Sequence, residues 1–422
     1  MGFLYQQLER RSSLVNPSQY LKDFFAGNFF FSPNRSGINV NEKNADSCVA
    51  VGACIDRISK TIATLPLDLY KRGNDNSRSK AAERPLYYVL KYAPNPEMTS
   101  YIWRKIQTAA YLKYGVCYSK IEFDTVNGLV KSLWPVPPQN VKPKRNDKTK
   151  RLEFEVWNDD GSGFVVVGDD EMFRIFYMTD DGVTPKSPIR VYAESIGINL
   201  AADAFGAKFF GSGSNLAGVI EHPAHLDPAG EAFKNLRKSW EEIYSGIENS
   251  HKVAILEEGM KYTRIGIPPN EAQFLETRQF QTEEIARIYD VPLDRIQVSK
   301  QSSTYANAEH RDLEFMKHCM LPHTMNWQHA IMRYLLSKTE EKKYFAEFNF
   351  DILLKADTKT RSEFYHQTIQ DGIYNADEIR AKENDNPQPD EQGKTYFVGA
   401  GMMPKTMAEN YYLSKKQTLT NQ

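Results

Sequence analysis

Residues 270–336 read NEAQFLETRQFQTEEIARIYDVPLDRIQVSKQSSTYANAEHRDLEFMKHCMLPHTMNWQHAIMRYLL. The pattern is a helix, a polar loop and a longer helix that carries a proline. Asn270 opens the first helix as a good N-cap. Phe274, Arg278, Gln281, Ile285 and Tyr289 share one face, widened by Leu275 and Ile288. Pro292 closes it, because the residue before a proline is pushed out of the α region. Residues 293–306 then set out Ser299, Lys300, Gln301, Ser302, Ser303 and Thr304 with almost nothing to bury. Helix resumes near Asn307 and runs past Pro322, which removes one backbone bond and is expected to bend the rod. A polar tip held between two helical arms is suited to touching a partner rather than to filling a core.

Outward on the N-terminal side, Ser187-Pro188 starts a helix expected to reach about Phe210, with proline at its first position. Its Ala193, Ser195, Gly197, Ala201, Ala202, Ala204, Gly206 and Ala207 suit close approach to a neighbouring backbone. After a strand at 216–221, a helix capped by Asp227 carries Phe233, Leu236, Trp240 and Ile243 on one face. A hairpin over 253–265 follows, turning at Glu258-Gly259 beside Glu257.

Earlier still, Val51, Cys54, Ile55, Ile58, Ile62 and Leu65 repeat at helical spacing until Pro66, and Leu67 and Leu69 alternate into a short strand. Residues 73–84 read as a polar loop. A second long helix starts at Thr99, with Trp103, Ile106, Ala110 and Tyr114 inward and Gly115 just past its end. Five strands follow within 116–177, with hairpin turns at Asn127-Gly128 and at residues 159–163. On the C-terminal side, a strand at 344–350 precedes a helix capped by Asp357, and Asn375 with Glu378 forms a capping-box start. The class is α+β.

The 422 residues are 41% hydrophobic before 24 glycines are counted, enough for a core spread over two or three domains. The net charge of −1 speaks against a tight nucleic-acid binder, which carries a basic excess, and is compatible with a protein past which DNA slides. Four cysteines are too few for a disulfide framework. Cys48 and Cys54 on one helix would lie about 9 Å apart, too far to bridge. No stretch reaches the ~20 apolar residues of a membrane span, and residues 192–210 are interrupted by Glu194, Asp203 and Lys208.

Catalytic signatures are missing. There is no G-x-x-x-x-G-K-[ST] phosphate loop and no G-x-S-x-G elbow. His318, Cys319 and His323 do not make a metal set, since Pro322 disturbs their turn and no second ligand pair follows. Glu221, His222, His225 and Asp227 read as a strand-to-helix turn. Acidic pairs such as Asp169-Asp170, Asp180-Asp181 and Glu257-Glu258 read as solvated turn ends. Lys142, Lys144, Arg145, Lys148, Lys150 and Arg151 form the one basic run, read as an exposed loop. No catalytic residue, metal or cofactor is expected.

Four blocks in order resemble one family. They are NADSCVAVGACIDRISKTIATLPLDLYKR at 44–72; WRKIQTAAYLKYGVCYSKIEFD at 103–124 with GLVKSLWPVPPQNV at 128–141; the 273–331 run of helix, loop and helix; and DGIYNADEIRAKEN at 371–384. Together they resemble the portal proteins of tailed bacteriophages, in the HK97-like group, over roughly residues 44–386. The resemblance implies a portal fold: α/β wing, two-helix stem, small α/β clip, long kinked helix and helical crown. Mapped onto this chain, 1–43 is an N-terminal arm, 44–186 and 307–356 the wing, and 187–213 and 269–290 the stem helices. The clip is 214–268, the tunnel loop 291–306, the crown 357–390 and the tail 391–422. It implies a homo-oligomeric ring, usually a dodecamer, at one capsid vertex of the virion, assembled in the host cytoplasm without a membrane. Double-stranded DNA would pass through it non-specifically. The terminase large subunit, a head-tail adaptor and the major capsid or scaffolding protein would dock on it.

On that mapping the DNA-contacting loop residues are Arg295, Gln297, Ser299, Lys300, Gln301, Ser302, Ser303 and Thr304. The channel-wall candidates are Glu276, Glu283, Glu284 and Arg287. The partner-facing clip residues are Phe233, Trp240, Glu257 and Glu258. The second stem helix holds five acidic residues, Glu271, Glu276, Glu283, Glu284 and Asp290, against Arg278 and Arg287. The competing readings are a DNA-processing enzyme of the packaging complex and another capsid or adaptor protein. If Trp240 is buried under the clip helix, Trp240→Ala should melt that helix locally at a cost of ~3–5 kcal/mol, read by hydrogen exchange of residues 228–246.

Overall fold

Among the described residues a 3₁₀ turn, Asn44–Ser47, leads into the helix with the clearest apolar period, α1 (Val49–Thr64). In the computed structural model the described residues are 37–73, 77–158, 160–211, 218–221, 259–264, 271–296, 311–350, 358–383 and 385–396, with isolated positions between 223 and 238. Val51, Cys54, Ile55, Ile58, Ile62 and Leu65 are all buried, as the spacing predicts. Pro66 stops the helix and β1 (Leu67–Arg72) leaves it directly. β1 is the middle strand of an antiparallel sheet, between β11 (Tyr344–Phe348) and β2 (Arg78–Lys80). The expected polar loop over 73–84 is therefore partly a strand, pairing Tyr70 with Lys80 and Arg72 with Arg78. Being central, β1 also buries Asp68, only 3% exposed. Its carboxylate takes Lys91 at 2.7 Å and Lys80 at 3.1 Å. Burial pushes this group up, but the two ammonium partners outweigh that and hold it below the usual carboxylate range.

Lys91 ends α2 (Pro85–Lys91), and α3 (Ser100–Tyr114) follows with a Thr99 side-chain cap. α3 lies against α1. Its inward face is Trp103, Arg104, Gln107, Thr108, Tyr111 and Leu112. Ile106 is 44% exposed and does not belong to it, and Ala110 and Tyr114 are only half-buried. Of the polar residues on that face Arg104 is engaged, whereas Gln107 Oε1 and Thr108 Oγ1 are buried without a hydrogen-bond partner. Arg104 donates to the carbonyls of Ile62 and Leu65, a cation on the orphan acceptors that end α1. Trp103 donates its indole N–H to Ser119 at 3.1 Å.

α3 ends at Gly115 with φ +79°, and a Cβ there would drive into the Lys186 carbonyl. The chain turns straight into β3 (Val116–Phe123), paired with β4 (Val130–Val136) and β8 (Met172–Phe176). The β3–β4 turn is wider than a two-residue hairpin. Gly128 is left-handed but Asn127 is not, and Asp124 closes the loop by donating to Leu129 and accepting from Gly128. A second antiparallel sheet runs β5 (Val141–Arg145), β6 (Leu152–Trp157), β7 (Phe164–Gly168). Tyr118, Phe154, Val167 and Met172 join the two sheets in one cluster.

The segment after Ser187 is two helices, α4 (Pro188–Val191) and α5 (Ala193–Gly211), with a break at Tyr192. β9 (Gly218–Glu221) pairs with β10 (Lys261–Arg264). The other arm of the expected 253–265 hairpin, and the helix capped by Asp227, lie largely outside the described residues. α6 (Glu271–Ile288) comes next. Beyond the loop, helical residues 311–314 lead into a π-helical stretch, Phe315–Met320, and then α7 (Leu321–Leu335). The wide π winding comes immediately before Pro322, so the missing N–H and the ring's clash with a preceding carbonyl are absorbed by winding rather than by a break.

α7 is fastened to the sheet of β8. Trp327 meets Trp103 edge-on at 5.4 Å, and Phe173 lies 5.9 Å from Trp103. Asn326 donates to the Phe176 carbonyl at 2.7 Å, and His323 meets the Tyr111 hydroxyl at 3.0 Å. Burial lowers His323 from 6.5 to about 4, so the ring that shares a hydrogen bond with the Tyr111 hydroxyl is neutral at pH 7. Among the described residues no helix is long and apolar enough to cross a membrane.

Residues 349–422 separate as a second unit. It holds α8 (Thr358–Gln370) and α9 (Ala376–Lys382). Left-handed Gly372 follows α8, and the Asn375–Glu378 capping box forms as the sequence predicts. Glu383 ties the two helices by accepting from Tyr365 at 2.6 Å and pairing with Arg361 at 3.6 Å.

Two predictions follow from this packing. Gly115→Ala forces a left-handed, clashing Cβ and should cost about 3 kcal/mol, measured as a lowered urea midpoint. For His323, the unfolded ring protonates near 6.5 and the folded one near 4. Stability is therefore fully present above about pH 6.5 and falls as pH drops toward 4, by at most about 1.4 kcal/mol per pH unit from this group. A His323→Gln variant at the same protein concentration should lose less of its urea midpoint between pH 7 and pH 5 than the parent chain.

Candidate functional site

The site is built on α5, α6 and the root of the loop that follows α6. The inner face of α6 is Gln281, Ile285, Ala286 and Tyr289, all buried, and the helix packs on α1 and α5. Arg278, which the spacing placed on the same face, is exposed and pairs with Asp203 of α5 at 2.8 Å. The helix closes before Pro292 acts. Asp290 is left-handed at φ +54°, and Val291 N–H reaches back to the Ala286 carbonyl at 3.0 Å. Pro292 then prevents resumption.

Along its middle, α6 is exposed all round. Residues 276–280 are five consecutive exposed positions, more than the 3.6 of one turn. Ala204, Phe205 and Ala207 of α5 are exposed alongside. Phe205 and Phe280 each leave 52% of their surface uncovered. A helix pair exposed around a full turn offers a surface on which another chain can pack.

The four wall candidates separate by environment. Glu276 is exposed. Glu283 is half-buried and accepts from Gln279 at 3.1 Å. Glu284 and Arg287 bind one another one turn apart, so their charges largely cancel.

Of the loop candidates, Arg295 is described and the others, Gln297, Ser299, Lys300, Gln301, Ser302, Ser303 and Thr304, lie outside the described residues. Arg295 sits in a 3₁₀ turn, Leu293–Ile296. Its guanidinium pairs with Asp312, lies 3.4 Å from Asp294 and stands 5.7 Å over the Phe315 ring. Its backbone carbonyl accepts from Arg57 of α1 at 3.0 Å. Of the partner-facing candidates, Phe233 is exposed, and Trp240, Glu257 and Glu258 lie outside the described residues. Periodicity did not single out Arg57 or Asp312. The one available signal was a basic and an acidic residue flanking a polar loop.

The histidine–cysteine group is spread over different surroundings. His318 is exposed, His323 serves Tyr111, and buried Cys319 faces the Tyr289 carbonyl at 3.7 Å with its thiol pushed up to about 12 by burial. Among the described residues no three His, Cys, Asp or Glu side chains are grouped to hold a metal ion. Lys142 and Lys144 of the basic run flank Glu155 at 3.9 and 3.7 Å.

Comparison with known proteins agrees with this architecture. A family model described as "Phage portal protein" matches residues 49–384. A "Probable portal protein" of Streptomyces phage phiC31 is 32% identical over 373 residues, 86% of this chain and 80% of that protein. The "Portal protein" of Enterobacteria phage HK97 is 25% identical over 384 residues, covering 87% and 89%. The crystal structure of an HK97-family phage portal protein from Corynebacterium diphtheriae superposes with a TM-score of 0.56 at 16% identity, over 75% of this chain and 96% of that one. A chain from the neck of a native gene transfer agent particle, computed with C12 symmetry, gives 0.51 at 18% identity over 82% and 95%. The small sheets, the α5–α6 pair and the long helix behind the loop are thus a portal fold, and the chain belongs to the phage portal protein family.

Proposed function

We propose that copies of this chain form a ring at one capsid vertex, through which double-stranded DNA is packaged and later ejected. The observation that carries the reading is the α5–α6 pair of this portal fold, whose α6 is exposed around a full turn over residues 276–280. In a closed ring with heterologous contacts, each such pair is buried against the next copy. The C12 symmetry in the description of the gene transfer agent neck supports twelve copies.

On this reading α5 and α6 are the stem, residues 214–268 the clip, 291–306 the tunnel loop and 357–390 the crown. Residues 44–186 with 307–356 are the wing. Glu276 and Glu283 set the wall potential, because Glu284 and Arg287 compensate each other. A weakly acidic wall repels phosphates over about one Debye length, ~10 Å at 0.1 M salt, and so lowers friction on the moving duplex. Lys300 and its hydroxyl neighbours make brief, salt-screened phosphate contacts without gripping. The clip faces the terminase large subunit during packaging and the head-tail adaptor afterwards, and the wing meets the major capsid or scaffolding protein. The role is structural rather than catalytic.

The purified chain should give rings with a central hole by electron microscopy, and a monodisperse monomer under all conditions would refute the ring. Deleting Ser299–Thr304 should leave ring assembly intact and reduce DNA packaging or retention. Failure of the rings themselves would instead make the loop an assembly element.

A further inference from the structure

The loop root carries an observation that the ring reading does not use. The loop mapping expects Arg295 to contact DNA, yet its side chain is only 20% exposed and is engaged by Asp312 and Phe315. Asp312, on the helical segment that re-emerges after the loop, binds one end of the guanidinium. Asp294 neighbours Nε, and the ring of Phe315 lies beneath the cation. The carbonyl of the same residue is held by Arg57 from α1. One residue therefore joins three segments far apart in the chain: α1, the turn ending α6, and the helix leading to α7.

The geometry is unlike that of a phosphate ligand. A cation meant for passing DNA presents its donors to solvent, whereas this one has a carboxylate on Nη2, an aromatic face under it and a buried Nε that makes no hydrogen bond. The pairing also has a defined span. Arg295 and Asp312 stand on either side of residues 297–310, so their contact fixes the separation and relative orientation of the two chain ends from which that segment departs. Arg57 then refers this base to α1, whose apolar face belongs to the main core.

We propose that Arg295 is a positioning residue for DNA passage, acting with Asp312 as a clasp rather than touching DNA itself. The proposal rests on the reading of 291–306 as the channel loop. A carboxylate–guanidinium contact between two chain ends adds little to overall stability when partly solvated, because the Asp312 side chain is 59% exposed. Its effect is to restrict where the segment between can go.

The test is a cycle of near-isosteric variants, Arg295→Met, Asp312→Asn and the double variant, each replacing the portal chain in phage assembly, beside the Ser299–Thr304 deletion. Readouts are DNase-protected DNA per particle, ring yield by electron microscopy and ring melting temperature. A clasp predicts that both single variants and the double lose DNA to a similar extent, about tenfold, with no further loss in the double. Ring yield and melting stay at parental values. If Arg295→Met impairs packaging while Asp312→Asn does not, Arg295 acts on DNA directly and the clasp is wrong. Multiplying losses in the double variant, or a parallel fall in ring yield or melting temperature, also overturn it. If the deletion itself leaves packaging unchanged, the channel-loop reading fails instead, whatever the cycle shows.

Discussion

The aromatic joint of Trp103, Phe173 and Trp327 is the contact on which the rest of the main unit depends. It brings together α3, β8 and α7, elements separated by up to more than 200 positions in the chain. Around it the polar fastenings are all local to one neighbour. Ser119 takes the Trp103 indole, Tyr111 takes His323, and Asn326 takes the β8 backbone. Apolar contact supplies most of the free energy and the hydrogen bonds fix the register, since an unmet buried partner costs more than a met one gains. The long helix is placed by this joint, and the loop root is placed by the long helix.

The helical rod behind the loop shows how a local defect is accommodated. Proline at 322 within a helix forbids one hydrogen bond, and the expectation of a simple bend follows from that. The chain takes π winding over Phe315–Met320 ahead of that proline, keeping Phe315, Cys319 and Met320 buried. That winding sits between the Arg295–Asp312 contact and the aromatic joint. The loop base and the core are thus linked through one continuous helical path.

The stem pair has the opposite character. Within one chain α5 and α6 are held to each other by the Arg278–Asp203 ion pair and to α1 by the buried face of α6, while their outer surfaces stay open. The run of alanines and glycines in α5 lets backbones approach closely.

The sequence alone determined the class, the buried face of α1, the part of the α6 inner face formed by Gln281, Ile285 and Tyr289, the capping at Ser187 and Asn375, and the glycine that ends α3. It also carried the four blocks that point to the family. These are short-range properties, since periodicity and capping act within one or two helical turns. Tertiary structure decided the buried Asp68 with its two lysines, Arg104 on the end of α1, the exposure of Ile106, the strand inside the expected 73–84 loop, and the engagement of Arg295. Each depends on a partner beyond one or two helical turns. The charged side chains of Asp68 and Arg104 are buried where folding delivers ammonium groups to one and backbone carbonyls to the other, and no local pattern in the chain records that delivery.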